Sequence, residues 1–132
     1  REILNMWFDD SPLGLAGDED GGALCAWYVF SAMGFYPVTP GSNLYAIGSP
    51  FFNRIRIDLP DGKTFSVNAI NCSKKNKYIQ SAILNGAEIN RSWLTYSELI
   101  TGGKLELIMG DRPNKQWGTD LAWYKQHVDS DK

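Results

Sequence analysis

Histidine and cysteine are nearly missing from this sequence, which holds one histidine, His127, and two cysteines, Cys25 and Cys72. A histidine-based triad would have to be built on one residue in a polar tail, so a surface role is expected for His127. Two cysteines permit one disulfide at most, and their spacing matches no zinc pattern. Cys25 is expected to be a small buried hydrophobe on a helix. Basic excess is also missing. The 13 Lys and Arg are outnumbered by 15 Asp and Glu, for a net charge of −2. That balance lacks the basic stripe a nucleic-acid partner calls for, so none is expected. Apolar runs stay well short of the roughly 18–20 residues of a membrane span, so no membrane partner is expected either. There is no P-loop, no dinucleotide glycine fingerprint and no EF-hand, because the acids at 18–20 lack the glutamate twelve positions on. The first residue is Arg1 and no signal peptide is visible, so the chain is expected to be a fragment or a processed product.

What is present is apolar and aromatic. Of 132 residues, 43% are hydrophobic and 13% aromatic, enough for a real core in one domain or in a piece of something larger. The chain is organised around Gly14-Leu15-Ala16-Gly17-Asp18-Glu19-Asp20-Gly21-Gly22 and the apolar run that follows from Ala23. Acids at a helix start meet unpaired N–H groups and the positive end of the helix dipole. Asp18 or Asp20 is expected to cap this helix. Two readings stay open: a capped helix with a solvated acidic turn, or a carboxylate cluster for catalysis or metal binding. In the second, N–H groups would hold a carboxylate ionised, which suits a general base or a metal ligand. The flanking glycines would let a substrate approach the backbone.

The helix is expected from about Asp20 to Met33, with Gly34 as its C-cap and Pro37 and Pro40 barring continuation. It is apolar nearly all round and is therefore expected to be buried on most sides, more than one small domain can readily cover. Residues 1–10 read as an amphipathic turn or helix tail. From Leu44 the pattern changes to strands. Residues 54–58 alternate at period two, Asp61-Gly62 turns, and 64–70 answers. Further strands are expected at 78–84, 87–89 and 104–109, with Asn85-Gly86 as a type I′ turn. Residues 93–100 read as a strand then a turn. The fold class is thus mixed α and β: one N-terminal buried helix, then an antiparallel β-sandwich-like module. The division falls at residues 1–43 and 44–132.

Asn71-Cys72-Ser73 and Asn90-Arg91-Ser92 match the short N-glycosylation pattern. Trp93, Trp117 and Trp123 have rings that could stack on sugars, against a core-packing fate for at least two of them.

The run Gly17-Asp18-Glu19-Asp20-Gly21-Gly22 with Ala26-Trp27-Tyr28-Val29-Phe30-Ser31-Ala32-Met33-Gly34-Phe35-Tyr36-Pro37-Val38 resembles the C-terminal part of glycoside hydrolase family 92. So do Tyr45-Ala46-Ile47-Gly48-Ser49-Pro50, Tyr78-Ile79-Gln80-Ser81, Leu84-Asn85-Gly86, Pro113-Asn114 and Trp117-Gly118. The resemblance implies a calcium-dependent, inverting exo-α-mannosidase, usually α-1,2, secreted or periplasmic, acting on mannose-containing glycans. It implies that the helix is the last of an (α/α)6 barrel. It assigns Asp20 as general base, Asp18 as the acid that assists it, and Asp20 also as a contact of the calcium ion. Glu19 becomes a structural residue. The family's general acid has no counterpart here, which implies that the missing N-terminal part of the same enzyme is a partner and that this chain alone is inactive. Gly21-Gly22 departs from the Cys-Gly or Gln-Gly pair of many members. The alternative is a non-catalytic carbohydrate-binding or structural β-sandwich module, with glycan on Trp93 or Trp117.

Overall fold

The computed structural model describes residues 1–128, with side chains to Gln126; the surface role expected of His127 falls outside the described side chains. A short helix α1, Glu2–Trp7, precedes the main helix α2, Ala23–Met33. Phe8 joins them: its ring stacks on Trp27 at 5.7 Å and meets Tyr28 at 5.1 Å. Gly34 ends α2 in the left-handed conformation (φ 92°), and its N–H bonds back to the Phe30 and Ser31 carbonyls. A Cβ there would lie 2.9 Å from the Pro50 side chain, so both conformation and space select glycine.

The chain then enters two sheets. Strands β1 (Phe35–Tyr36), β2 (Leu44–Ile47) and β7 (Trp93–Thr95) form an antiparallel three-stranded sheet in the order β1-β2-β7. The larger sheet comprises β3 (Arg54–Asp58), β4 (Thr64–Ile70), β5 (Tyr78–Leu84), β6 (Ala87–Ile89) and β8 (Gly103–Gly110), in the order β3-β4-β8-β5-β6. The β3–β4 hairpin pairs Ile55 with Val67 and Ile57 with Phe65, as the period-two alternation requires. Its Pro60–Gly62 connection is a 3-10 turn with Asp61 at φ 67°. Asn85 (φ 51°) and Gly86 (φ 87°) both adopt positive φ, as a type I′ turn demands.

The sheet is not wholly antiparallel as expected: β4 and β8 run parallel, with Val67 opposite Leu105 and Ala69 opposite Leu107. Residues 71–102 intervene, enough for the crossover a parallel pair needs. Residues 96–100, expected as a turn, form a short helix α3, Tyr96–Ile100. Thr95 and Glu98 close a full capping box at its start. A last helix α4, Leu121–Val128, sets Tyr124 5.3 Å from the Trp93 ring.

The core is one cluster that joins buried residues of both sheets and the end of α2. Phe65, Val67, Ala82, Leu94, Leu105 and Leu107 are fully buried, and Phe30 and Met33 of α2 pack against this cluster. The rest of α2 does not reach the burial expected of it within this chain. Ala32 is its one buried residue and Val29 is 54% exposed, because α1, Phe8 and β1 cover only part of the helix.

Candidate active site: the acidic loop before helix α2

The loop 17–22 is framed by glycines with positive φ: Gly17 at 84°, Gly21 at 60° and Gly22 at 89°. No atom lies within 4 Å of where a Cβ would stand at any of the three, so the loop is open to a second body. It is anchored upstream by a tight turn. The Asp9 carboxylate accepts from the Ser11 N–H at 2.8 Å, and the Asp9 N–H donates to the Gly14 carbonyl at 3.1 Å. Asp9 is held below the usual carboxylate range by hydrogen bonds from Ser11.

The helix begins three residues later than its sequence suggests, and neither aspartate caps it. Gly22 occupies the N-cap. The cap is supplied instead by Glu19, whose two carboxylate oxygens accept from the Leu24 N–H (3.2 Å) and the Cys25 N–H (3.0 Å). Glu19 reaches over the first turn because the glycine pair at 21–22 folds the chain back onto it. Its carboxyl is lowered, first by a hydrogen bond from the Cys25 thiol and then by the backbone N–H groups of the first turn. The same contact raises the Cys25 thiol. Cys25 is therefore not the buried hydrophobe expected: it is an exposed free thiol tied to Glu19, while Cys72 is the buried one.

Asp18 and Asp20 are both exposed. The Asp20 carbonyl accepts from the Ala23 N–H at 3.1 Å, which fixes its backbone. Among the described residues, neither aspartate carboxylate takes part in a hydrogen bond or ion pair, so both remain free for a ligand. The structure keeps Asp18, Glu19 and Asp20 in one loop but divides their work, with Glu19 committed to the helix and the aspartates not. The remaining glutamates are placed otherwise. Glu2 pairs with Lys77, Glu98 with Arg91 and Glu106 with Lys104, and Glu88 stands on β6.

No group of three His, Cys, Asp or Glu among the described residues could hold a metal ion. A calcium ion takes six to eight oxygen ligands, more than the Asp18 and Asp20 carboxylates supply. Nor is any helix among them long and apolar enough to cross a membrane.

The tryptophans divide as well. Trp117 packs against the core, and its indole N–H donates to the Ile89 carbonyl at 3.1 Å. Trp123 lies under the Arg91 guanidinium at 4.1 Å. The Arg91–Glu98 pair was not expected from the sequence, although Thr95, three residues before Glu98, carries the capping-box signal.

The model of the glycosyl hydrolase family 92 catalytic domain matches residues 1–111. An uncharacterized secreted glycosidase of Arthroderma benhamiae is 42% identical over 115 residues, covering 85% of this chain and 15% of that protein. The family GH92 inverting mannosidase BT2199 of Bacteroides thetaiotaomicron superposes with a TM-score of 0.85 at 48% identity, over 92% of this chain and 16% of that one. The α-mannosidase BT3965 of the same organism, in complex with mannoimidazole, gives 0.85 at 37% identity, over 90% and 16%. The chain thus spans about one-sixth of the length of these relatives. With the matched model extending over most of its length, the chain belongs to glycoside hydrolase family 92.

Proposed function

We propose that this chain is the base-bearing end of an inverting exo-α-mannosidase acting on mannose-containing glycans, with α-1,2 linkages preferred. The observation that carries the reading is the division of labour in the acidic loop. Glu19 is the acid whose side chain ties the loop to α2, which leaves the Asp18 and Asp20 carboxylates uncommitted on a backbone framed by open glycines. Inversion needs one carboxylate to take a proton from the water that attacks the anomeric carbon, on the face opposite the leaving oxygen. Asp20 is assigned that role and Asp18 the assisting one, holding the water or the proton that Asp20 receives. The general acid that protonates the leaving oxygen comes from outside these residues.

Calcium belongs to this reading as the family's ion; Asp20 would supply one oxygen to it and the remainder of the enzyme the others. The name of one relative, a secreted glycosidase, supports a hydrolase that is secreted or periplasmic. The remainder of the polypeptide is also the natural cover for the helical end. A cleft of about 810 Å³ between α1, the loop and α2 is lined by Ile3, Trp7, Phe8, Leu13, Leu24 and Trp27. Leu13 is 92% exposed, and an apolar surface of this kind marks a packing interface.

The reading is tested by the product. Full-length enzyme acting on α-1,2-mannobiose is expected to release β-mannose first, seen by proton NMR before mutarotation. Residues 1–132 alone are expected to release none, with calcium or with a chelator. Initial release of α-mannose overturns the inverting assignment, and hydrolysis by the isolated chain places a general acid within it.

A further inference from the structure

A second polar cleft lies on the β module, and its floor is a bulge. Between Ile79, opposite Met109, and Ser81, opposite Ile108, β5 carries Gln80 as an extra residue. Bulges re-aim a side chain, and here Gln80 is turned toward the segment after β8. Its Nε2 donates to the Tyr78 carbonyl (3.1 Å) and the Arg112 carbonyl (2.8 Å). Gly110 leaves the room this needs, since a Cβ there would lie 2.9 Å from the Gln80 side chain.

The segment 111–119 is pinned over β5 and β6 by further bonds. Asn114 Nδ2 donates to the Gln80 carbonyl at 2.8 Å, and Trp117 Nε1 to the Ile89 carbonyl at 3.1 Å. The Gly118 N–H donates to Asn90 Oδ1 at 3.0 Å. Between this strap and the sheet is a cleft of about 460 Å³. That is within the roughly 300–1,000 Å³ of small-molecule sites.

Three of its lining groups are left over by this scaffolding. The Ser81 hydroxyl, the Glu88 carboxylate and the Gln116 side-chain amide line the cleft and are engaged by no other group among the described residues. They stand beside the Trp117 ring. An indole beside a hydroxyl, an amide and a carboxylate matches a polyol ring, which has one apolar C–H face and a rim of groups that donate and accept. The carboxylate disfavours an anion, and the amides disfavour a purely apolar guest.

We propose that this cleft is a non-catalytic glycan subsite, binding a mannosyl unit of a polymeric substrate away from the Asp18–Asp20 loop. Trp117 supplies the stacking face, and Ser81, Glu88 and Gln116 hold the hydroxyls. The identity of the sugar rests on the mannosidase reading; the cleft's preference for a polyol does not.

The test uses full-length enzyme carrying Glu88→Ala together with Gln116→Ala, both exposed positions that leave the Trp117–Ile89 bond intact. Affinity gel electrophoresis in a branched α-mannan is expected to show about tenfold weaker retardation, the loss expected from one or two hydrogen bonds. The KM for α-mannan should rise in step, while kcat/KM for α-1,2-mannobiose stays unchanged. Unchanged retardation overturns the subsite. So does an equal loss on mannobiose, which would place these residues with the catalytic centre or the fold. An enzyme with no mannosidase activity that α-mannan still retards through Glu88 and Gln116 overturns the proposed function and leaves the subsite standing.

Discussion

Glu19 accepts a hydrogen bond from the backbone N–H of Cys25 at 3.0 Å, and that contact decides which acid of the triplet is structural. Removing it frees the loop without touching either aspartate. In the full-length enzyme Glu19→Ala should lower kcat several-fold with little change in KM, because the base is displaced rather than deleted. Glu19→Gln, which keeps an acceptor, should recover most of the rate. The Glu19 carboxyl is lowered by the Cys25 thiol and the first-turn N–H groups. Its contribution to loop order is therefore present above the ordinary value of 4.5 and lost as the pH falls through the lowered one. Wild-type activity should decline on that acid limb, and Glu19→Gln should flatten the part due to loop order.

Arg91 and Glu98 form the one nearly buried ion pair among the described residues. Nη2–Oε1 is 2.5 Å and Nη1–Oε2 3.0 Å, with the arginine side chain 8% exposed. Burial opposes the charge on Glu98, but the bonds from Arg91 and Thr95 outweigh it and its carboxyl is lowered. The pair therefore stabilises the fold above the usual glutamate value and is lost as the pH falls through the lowered one. Glu98→Ala strands the guanidinium and removes the capping box, and should cost about 3 kcal/mol in urea unfolding. Glu98→Gln should cost less, since it keeps one acceptor toward Arg91.

Gly34→Ala should destabilise by about 2 kcal/mol. The residue sits at φ 92° with Pro50 2.9 Å from the added Cβ, so the strain is both conformational and steric. Thermal unfolding of the full-length enzyme reads it, and an unchanged midpoint would show that α2 can end another way.

The cleft between α1 and α2 exposes Trp7 at 60% and Leu13 at 92%. Residues 1–132 alone should bind a hydrophobic dye and self-associate, and Trp7→Lys with Leu13→Lys should suppress both. In the full-length enzyme the same two substitutions should destabilise, as follows from the cover proposed for this face.

The local features were legible where one residue type has one physical use. Gly34 reads as a helix stop, Asn85-Gly86 as a type I′ turn, and the alternation at 54–70 as a hairpin, and each stands where expected. The β4–β8 pairing was not legible, because parallel and antiparallel strands share the same period and only the crossover decides. The helix start was misplaced by three residues for a related reason. Spacing favours any acid near the first turn, and it takes the folded glycine pair to show that Glu19 reaches the N–H groups. The Gln80 bulge has no sequence signature at all, being a mismatch between two strands distant in sequence.

The turnover of full-length Asp20→Asn on α-1,2-mannobiose tests the base assignment at its chemical step. A general base accounts for about 10²–10⁴-fold in rate. With Asp20 as the base, kcat should fall by that amount, with affinity for a mannose-site inhibitor largely kept and Asp18→Asn showing a smaller loss. Near-normal turnover by Asp20→Asn would contradict it and move the base elsewhere.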